Sequence, residues 1–583
     1  MKNKKINKRI NNYRKIIVVL FLILIIKITD IDILKHKYYL KEYKKSLKYT
    51  YSLTAPRGLI YDRNGVLIVD NEYVDIIRYS GIDITIREEK DIVVKLSSIL
   101  KEDKKIILNK MRSGYYFDIK TIKENPTKEE CEEIKKLNLK GITIDKMWKR
   151  RYLKKFPLIG TVGNIPFEKK DYFLGQGYSL NDIVGTSFIE EAYDSILKGE
   201  KDKYVLTNNQ YKLVREGNKG KDIYLTIDIN LQERVEKVLE DEIRESKREK
   251  NTEYYDHSYV IISDPNTGEI LAISGKKIVG DKIIDVTSEI LTSTIQGGSS
   301  VKGASHIVGY KTGALKIGEK RDDICIKLKN LDAKCSWRYL GTINDLDALK
   351  YSSNSFQYQT AIKIGKGKYK YNKNLKFKND TLSIYRSIFK EFGLGIKTGI
   401  DLNESEGYKG NKNNPELILD FSVGQYDTYT PIQLSQYINT IANNGYRLKP
   451  LLLKGYILGN KFIPNHKKVL NEVDVDKKYI ERVKKGFRMV MSGTGYNYIP
   501  KKYLPAGKTG TSTSYLDLNN DGIVETPTTS NIFLGYAPYN KPIATFTVIS
   551  PNVKLAYTKS TYKTSVNKRI SYQVAQILFE IYK

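Results

Sequence analysis

The chain has 583 residues, 40% of them hydrophobic and 28% charged. At about 100–200 residues per domain this allows about three domains with sizeable cores, and it excludes a disordered chain, a disulfide-stapled miniprotein and a multi-span membrane protein. Lys and Arg number 99 against 67 Asp and Glu, a formal net charge of +32, which favours an anionic neighbour: nucleic acid, a membrane surface or an acidic wall polymer.

Residues 1–15 carry seven Lys or Arg and no acid, and Ile16 to Ile26 are eleven unbroken apolar residues followed by Lys27 and Ile28. A spanning helix needs about 20 residues, and a snorkelling Lys27 lengthens the effective run. No small-residue cleavage site follows. The expectation is a basic cytoplasmic tail at 1–15, an uncleaved signal-anchor transmembrane helix at 16–30, and the remainder outside the cytoplasm, a single-pass cell-membrane protein. That location argues against nucleic acid as a partner. The basic, aromatic-interleaved stretch from Lys366 to Lys378 is accordingly read as a solvated surface insertion.

Residues 30–53 read as a polar helix. Leu59-Ile60-Tyr61 and Val66-Leu67-Ile68-Val69 read as short strands joined by the turn Asp62-Arg63-Asn64-Gly65. Residues 85–145 alternate helical and strand patterns, and 187–198 have helical spacing. A second region starts near residue 218: a strand over Asp222 to Asp228, a helix from Leu231 to Ile243, and two strands, Tyr259 to Ile262 and Glu269 to Ile273, around the turn Asp264-Pro265-Asn266-Thr267-Gly268. Asn531 to Gly535 and Ile543 to Ile549 are strand-like, and Val566 to Tyr582 is helical. Strands at both ends with helices between them predict an α+β domain, one antiparallel sheet packed with helices.

Three constellations carry chemistry. Ser299 and Lys302 share one face of a helix expected from Ser299 to Leu315; a buried lysine has its neutral form favoured and can take the serine proton. Ser352-Ser353-Asn354 lies between two helical stretches, able to relay a proton and grip an amide. Lys-Thr-Gly occurs three times, at 311–313, 397–399 and 508–510. Only Lys508-Thr509-Gly510-Thr511 stands ahead of the terminal strand pair, and the function is assigned there. Of the cysteines, Cys325 and Cys335 could form one bridge, and Cys131 is left over; a zinc site would need more ligands. The four histidines are far apart. Asp517-Leu518-Asn519-Asn520-Asp521-Gly522 begins like a calcium loop, but its twelfth position is Thr528; a tight polar turn is expected, and no metal or cofactor.

Ser-x-x-Lys, Ser-x-Asn and Lys-Thr-Gly in this order are the signature of penicillin-binding proteins and class A β-lactamases. Together with Arg57 to Gly65, Leu225 to Asp228, Leu231-Gln232, Asp264 to Ala272, Thr398 to Leu402, Gly424-Gln425 and Thr430 to Leu434, the chain resembles the class B penicillin-binding proteins, monofunctional D,D-transpeptidases that cross-link peptidoglycan. The resemblance implies an elongated mixed α/β pedestal of the dimerisation type at 31–217 and a transpeptidase domain at 218–583. It implies that Ser299 attacks the penultimate D-Ala of a stem peptide with Lys302 as base and Ser352 as relay, that Asn354 holds the donor peptide, and that Lys508, Thr509 and Gly510 bind its end. The amides of Ser299 and Thr511 would form the oxyanion hole. β-Lactams would trap Ser299. Implied partners are stem peptides and their lipid-linked precursor, the cytoplasmic membrane and a glycan polymerase of the SEDS family, and the expected role tilts towards elongation and cell shape.

The family's Pro-Gly before the nucleophile is here Gly297-Gly298, which predicts a looser turn, and a Gly after Gly424-Gln425 is here Tyr426. Rival readings within the fold are a D,D-carboxypeptidase, a β-lactamase and a β-lactam sensor.

Overall fold

The computed structural model describes residues 17, 18, 20, 21, 49–51, 54–113, 119–179, 182–207, 210–518, 521, 525–556 and 565–582. The basic tail and most of the expected anchor, with the 30–48 part of the expected polar helix, lie outside the described residues; Ile17, Val18, Leu20 and Phe21 are helical. Among the described residues no helix is long and apolar enough to cross a membrane. Tyr49–Tyr51 is a strand, not helix, paired antiparallel with Lys203–Thr207; Tyr and Thr suit a strand, and the pairing ends the expected helix before them.

The chain forms two compact units. The smaller takes the described residues of Met1–Gly58, Asn71–Lys149 and Lys198–Gly220; the larger takes Leu59–Asp70, Arg150–Leu197 and Lys221–Lys583. Segments 59–70 and 150–197 precede residue 217 yet fall in the larger unit. The pairing explains the first of these: Ile60 and Tyr61 lie parallel to Ile223 and Tyr224 and antiparallel to Val69 and Leu67.

In the smaller unit Ile76–Ser80 pairs antiparallel with Ile119–Glu124, and the helices Ile86–Leu100, Lys104–Arg112 and Lys128–Leu137 cover a core containing Ile77, Leu96, Ile107, Ile122 and Ile134. Two of these helices start with capping boxes, Thr85 with Glu88 and Thr127 with Glu130, which satisfy backbone donors that have no partner within the helix.

The larger unit is built on six antiparallel strands: β1 (His257–Ser263), β2 (Ile270–Val279), β3 (Lys282–Asp285), β4 (Ala506–Leu516), β5 (Thr526–Ala537) and β6 (Ala544–Leu555), in the order β3-β2-β1-β6-β5-β4. Side chains alternate across a strand, and both faces of β1 are buried. Val260 and Ile262 meet helices α1 (Ile229–Lys247) and α7 (Val566–Ile581) through Leu231, Val235, Ile570 and Val574. Tyr259 and Ile261 belong to the opposite core with α2 (Lys302–Lys311), α5 (Pro431–Ala442) and α6 (Lys477–Val490), through Ile307, Val308, Leu434, Tyr437 and Phe487. This helix–sheet–helix layering is the expected α+β architecture. Helices α3 (Asp345–Lys350) and α4 (Asn354–Ile364) complete the second layer.

Short polar motifs hold the layers in register. Asp228 caps α1 by accepting from the Leu231 N–H, and Gln232 of α1 pairs its amide with the backbone of Ile273 in β2, 2.9 Å in each direction. Replacing either polar residue by an apolar one would strand buried backbone groups. The helix expected over 187–198 is two short pieces, Phe188–Ala192 and Asp194–Leu197. The strand expected over 222–228 is reduced to Ile223–Leu225 because Asp228 is already turning the chain into α1.

Candidate active site

The expected helix from Ser299 to Leu315 begins with a tighter turn. Gly298–Val301 is a 3-10 helix, and α2 starts at Lys302, whose N–H donates to the Ser299 carbonyl. In a 3-10 turn residues three apart eclipse each other, so Ser299 and Lys302 share a face more closely than on an α-helix. Gly298 sits at φ 50°, and a Cβ there would lie 2.4 Å from the Thr511 carbonyl oxygen. Only glycine allows both that backbone and that approach. Gly297 has φ −64°, the value a proline would impose, so the turn holds a backbone angle that the family's proline would also give. Tyr426, which replaces the family's glycine, exchanges hydrogen bonds with the Lys412 backbone.

Lys302 is fully buried. Its Nζ donates to the Ser352 carbonyl at 2.8 Å and Asn354 Oδ1 at 2.6 Å, and lies 3.4 Å from Ser352 Oγ. Burial, reinforced by the charge on Lys508 and opposed by Asp323, pushes the Lys302 amine well below the usual lysine range. Ser352 lies at the junction of α3 and α4 with φ 58°, a conformation that costs a non-glycine residue about 1–3 kcal/mol and recurs at functional positions. Ser353 caps α4 by accepting from the Phe356 N–H, so the Ser-x-Asn segment doubles as a helix cap.

Lys508 reaches the same place from β4. It is fully buried, with Nζ 2.9 Å from Ser352 Oγ and 2.8 Å from the Thr509 carbonyl, and burial lowers its amine to about 7. β4 is the edge strand of the sheet. Because the Thr511 carbonyl faces Gly298, Thr511 and its N–H point out of the sheet; the N–H and C=O of one antiparallel residue project to the same side. A Cβ on Gly510 would lie 3.0 Å from the Ser300 backbone N, so glycine lets the strand press against the turn that carries Ser299. Ser299 and Thr509 are half-buried and Thr511 is exposed. All eight anticipated residues therefore gather at one place: Ser299, Lys302, Ser352, Asn354, Lys508, Thr509, Gly510 and Thr511.

The other two Lys-Thr-Gly copies have different lives. Lys311 ends α2 and pairs with Glu391 and Asp474. Thr398 and Gly399 wrap their N–H groups around the Glu404 carboxylate. His306 packs under Lys302, with Nδ1 3.0 Å from the Lys302 carbonyl, and burial holds it neutral. The carboxylates of Asp517, Asp521 and Glu525 lie together, although Asn519, Asn520 and Gly522 of the anticipated calcium-like loop lie outside the described residues. Sequence reasoning missed Asp323, Ser336 and Thr494. Ser353 and Ser336 donate to Asp323, and Thr509 donates to Thr494 at 3.3 Å. The acidic pair Asp322-Asp323 beside Cys325 was the available signal. Cys325 and Cys335 are bonded to each other, and Cys131 is free and buried.

Residues 258–575 match the family model of the penicillin binding protein transpeptidase domain, and 52–225 match that of the penicillin-binding protein dimerisation domain. The chain is 32% identical to penicillin-binding protein 2A of Bacillus subtilis strain 168, covering 100% of this chain and 94% of that protein. It is 23% identical to the peptidoglycan D,D-transpeptidase MrdA of Escherichia coli K12, over 86% and 84% of the two chains. The solved structure of penicillin-binding protein 2B from Streptococcus pneumoniae R6 superposes with a TM-score of 0.74 at 24% identity, covering 92% of this chain and 99% of that one.

Proposed function

Because the chain belongs to the penicillin-binding protein family, we propose that it is a peptidoglycan D,D-transpeptidase acting through an acyl-enzyme on Ser299. The observation that carries this reading is the buried Lys302 amine, one 3-10 turn from Ser299 and bonded to Ser352 and Asn354. An uncharged amine has two hydrogens and one lone pair. The Ser352 carbonyl and Asn354 Oδ1 take the hydrogens, and the lone pair is left for the Ser299 proton.

In the proposed cycle Ser299 Oγ attacks the carbonyl between the two terminal D-Ala residues as Lys302 takes its proton. The developing oxyanion receives the N–H groups of Ser299 and Thr511. Lys508 and Thr509 hold the terminal carboxylate, with Gly510 allowing the close approach, and Asn354 holds the donor amide. The proton passes through Ser352 to the leaving amine, and free D-Ala departs. An amine of a second stem peptide then attacks the ester, and Ser299 regains its proton. β-Lactams enter the first half of this cycle and stop there.

We further infer that the catalytic unit works outside the cytoplasm on a membrane anchor. The basic tail with its apolar run supports this, as does a disulfide between exposed cysteines, which persists in oxidising compartments. A SEDS-type polymerase supplying uncross-linked glycan belongs to the same proposal, as do a pedestal over 31–217 and a transpeptidase domain over 218–583.

The test is labelling with a fluorescent penicillin. One covalent adduct is expected on the wild type and none on Ser299→Ala; equal labelling of both defeats the reading. Incubation with a D-Ala-D-Ala peptide, with and without an acceptor amine, separates the rival activity. Release of D-Ala without incorporation of the amine would make the protein a carboxypeptidase.

A further inference from the structure

Ser353 and Asn354 are held by a loop whose ends are covalently joined. The bridge runs between Cys325 and Cys335, both exposed. Asp323 stands two residues before the first cysteine, and Ser336 directly follows the second. Ser336 Oγ accepts the N–H groups of Asn354 at 3.0 Å and Ser355 at 3.2 Å, and donates to Asp323 Oδ1 at 2.9 Å. Ser353 Oγ donates to the same carboxylate oxygen, and the Ser355 hydroxyl to the Ile324 carbonyl. The Cys335 carbonyl accepts from Asn354 Nδ2 at 3.2 Å, and the Trp337 indole donates to the Tyr351 carbonyl at 2.9 Å. Residues 351–355 are therefore anchored repeatedly to the two ends of one short closed loop. Ile326 and Lys334, paired backbone to backbone at 2.9 Å, continue the closure just inside the bridge.

We propose that Asp323 and Ser336 are positioning residues for acyl transfer, and that the Cys325–Cys335 bridge keeps them in place so that Asn354 presents its Oδ1 to Lys302. The inference rests on the transpeptidase reading. Without the bridge the ends of an exposed loop regain the freedom its closure removed. The Ser336 hydroxyl then no longer meets three partners at once, and Asn354 loses two of its three anchors while keeping Lys302. A dithiol opens the bridge in a balanced exchange: it passes two electrons and two protons to the sulfurs, the S–S bond breaks, two thiols form and the dithiol closes to a cyclic disulfide.

The test times acylation by a fluorescent penicillin before and after dithiol treatment, in the full-length wild type, Ser336→Ala, Ser336→Thr and C325S/C335S. Reduction, the double cysteine variant and Ser336→Ala are each expected to slow acylation about tenfold or more, the size of effect that small misplacements of reacting groups produce. Ser336→Thr keeps the hydroxyl and most of the rate. Reduction adds little to Ser336→Ala, because both remove the same anchor. Trp337 is one of two tryptophans, and its emission changes on reduction while the melting temperature of the protein moves little. Wild-type rates in Ser336→Ala or after reduction overturn the inference. So does a loss of rate matched by an equal loss of folded protein, or a maleimide finding both thiols free in untreated protein. An untreated wild type that forms no penicillin adduct defeats the transpeptidase reading itself. An adduct that forms at a rate indifferent to the bridge defeats only this inference.

Discussion

Lys302 and Lys508 converge on one hydroxyl, that of Ser352, with Nζ atoms 3.4 and 2.9 Å from its oxygen. Two amines facing one acceptor in a buried site cannot both hold full charge at low cost. Burial lowers both, and the proximity of Lys508 lowers Lys302 further. Their proposed tasks are opposite: one must be neutral to accept a proton, the other charged to hold a carboxylate.

The pH profile follows. On the acid side kcat/KM for a D-Ala-D-Ala peptide rises with pH as Lys302 sheds its proton. On the alkaline side it falls as the free enzyme's Lys508 passes its value of about 7. Lys508→Arg keeps its charge at every working pH, so the alkaline limb should vanish while the acid limb stays. An alkaline limb that survives in the variant assigns the titration to another group.

Stability responds to the same burial. A lysine whose folded value is depressed holds its proton more weakly folded than unfolded, so the unfolded state binds more protons between about 7 and the ordinary 10.5. Stability therefore rises with pH across that window. Lys508→Met removes the ionisable group at similar volume. It is expected to raise the melting temperature at pH 6–7 by about 2 °C or more and to flatten the rise. A lower melting temperature with an unchanged slope would mean that the hydrogen bonds to Ser352 and Thr509 outweigh the desolvation.

Gly298→Ala combines a left-handed backbone with a Cβ 2.4 Å from the Thr511 oxygen. Moving β4 off the turn displaces the strand that carries Thr509 and Thr511. Loss of penicillin labelling is expected, with destabilisation of about 1–3 kcal/mol in urea unfolding. A variant that labels normally would show that the two segments can part without consequence.

Arg482 lies outside the reacting groups. It binds both oxygens of the Asp345 carboxylate at 2.8 Å, and Tyr310 donates to the same carboxylate at 2.6 Å. The Asp345 side chain has no exposed surface. Arg482→Met strands that charge, and a loss of about 3–5 kcal/mol is expected in denaturant unfolding. Asp345→Asn, which removes the charge instead of orphaning it, should cost less. Equal losses would mean that the geometry, not the charge, is what the pair contributes.

Much of the α+β domain was legible because its signals are local. The turn at 264–268, the short apolar run Tyr259 to Ile262 and the terminal helical pattern each depend on neighbours a few residues away, and the structure places strands and a helix there. The strand at 49–51 falls within the Lys- and Tyr-rich stretch that suggests a polar helix over 30–53, although Tyr-Thr-Tyr itself suits a strand; its pairing partner lies at 203–205, beyond the reach of any periodicity. The loop from Asp323 to Ser336 gave little warning for the same reason: its importance lies in what it touches at 353–355.

By itself the order of residues determined the chemistry on offer: a serine and a lysine one turn apart, a Ser-x-Asn segment able to cap a helix, and a Lys-Thr-Gly strand with glycine where something must come close. It also offered that tripeptide three times over, with only the position ahead of the terminal strand pair to single out one copy. Only the tertiary structure made one copy an edge strand against the Ser299 turn, one a helix end in ion pairs and one a loop around Glu404. Whether a lysine gives up its charge depends on burial and on the groups facing it, and those are supplied by segments far apart in the chain.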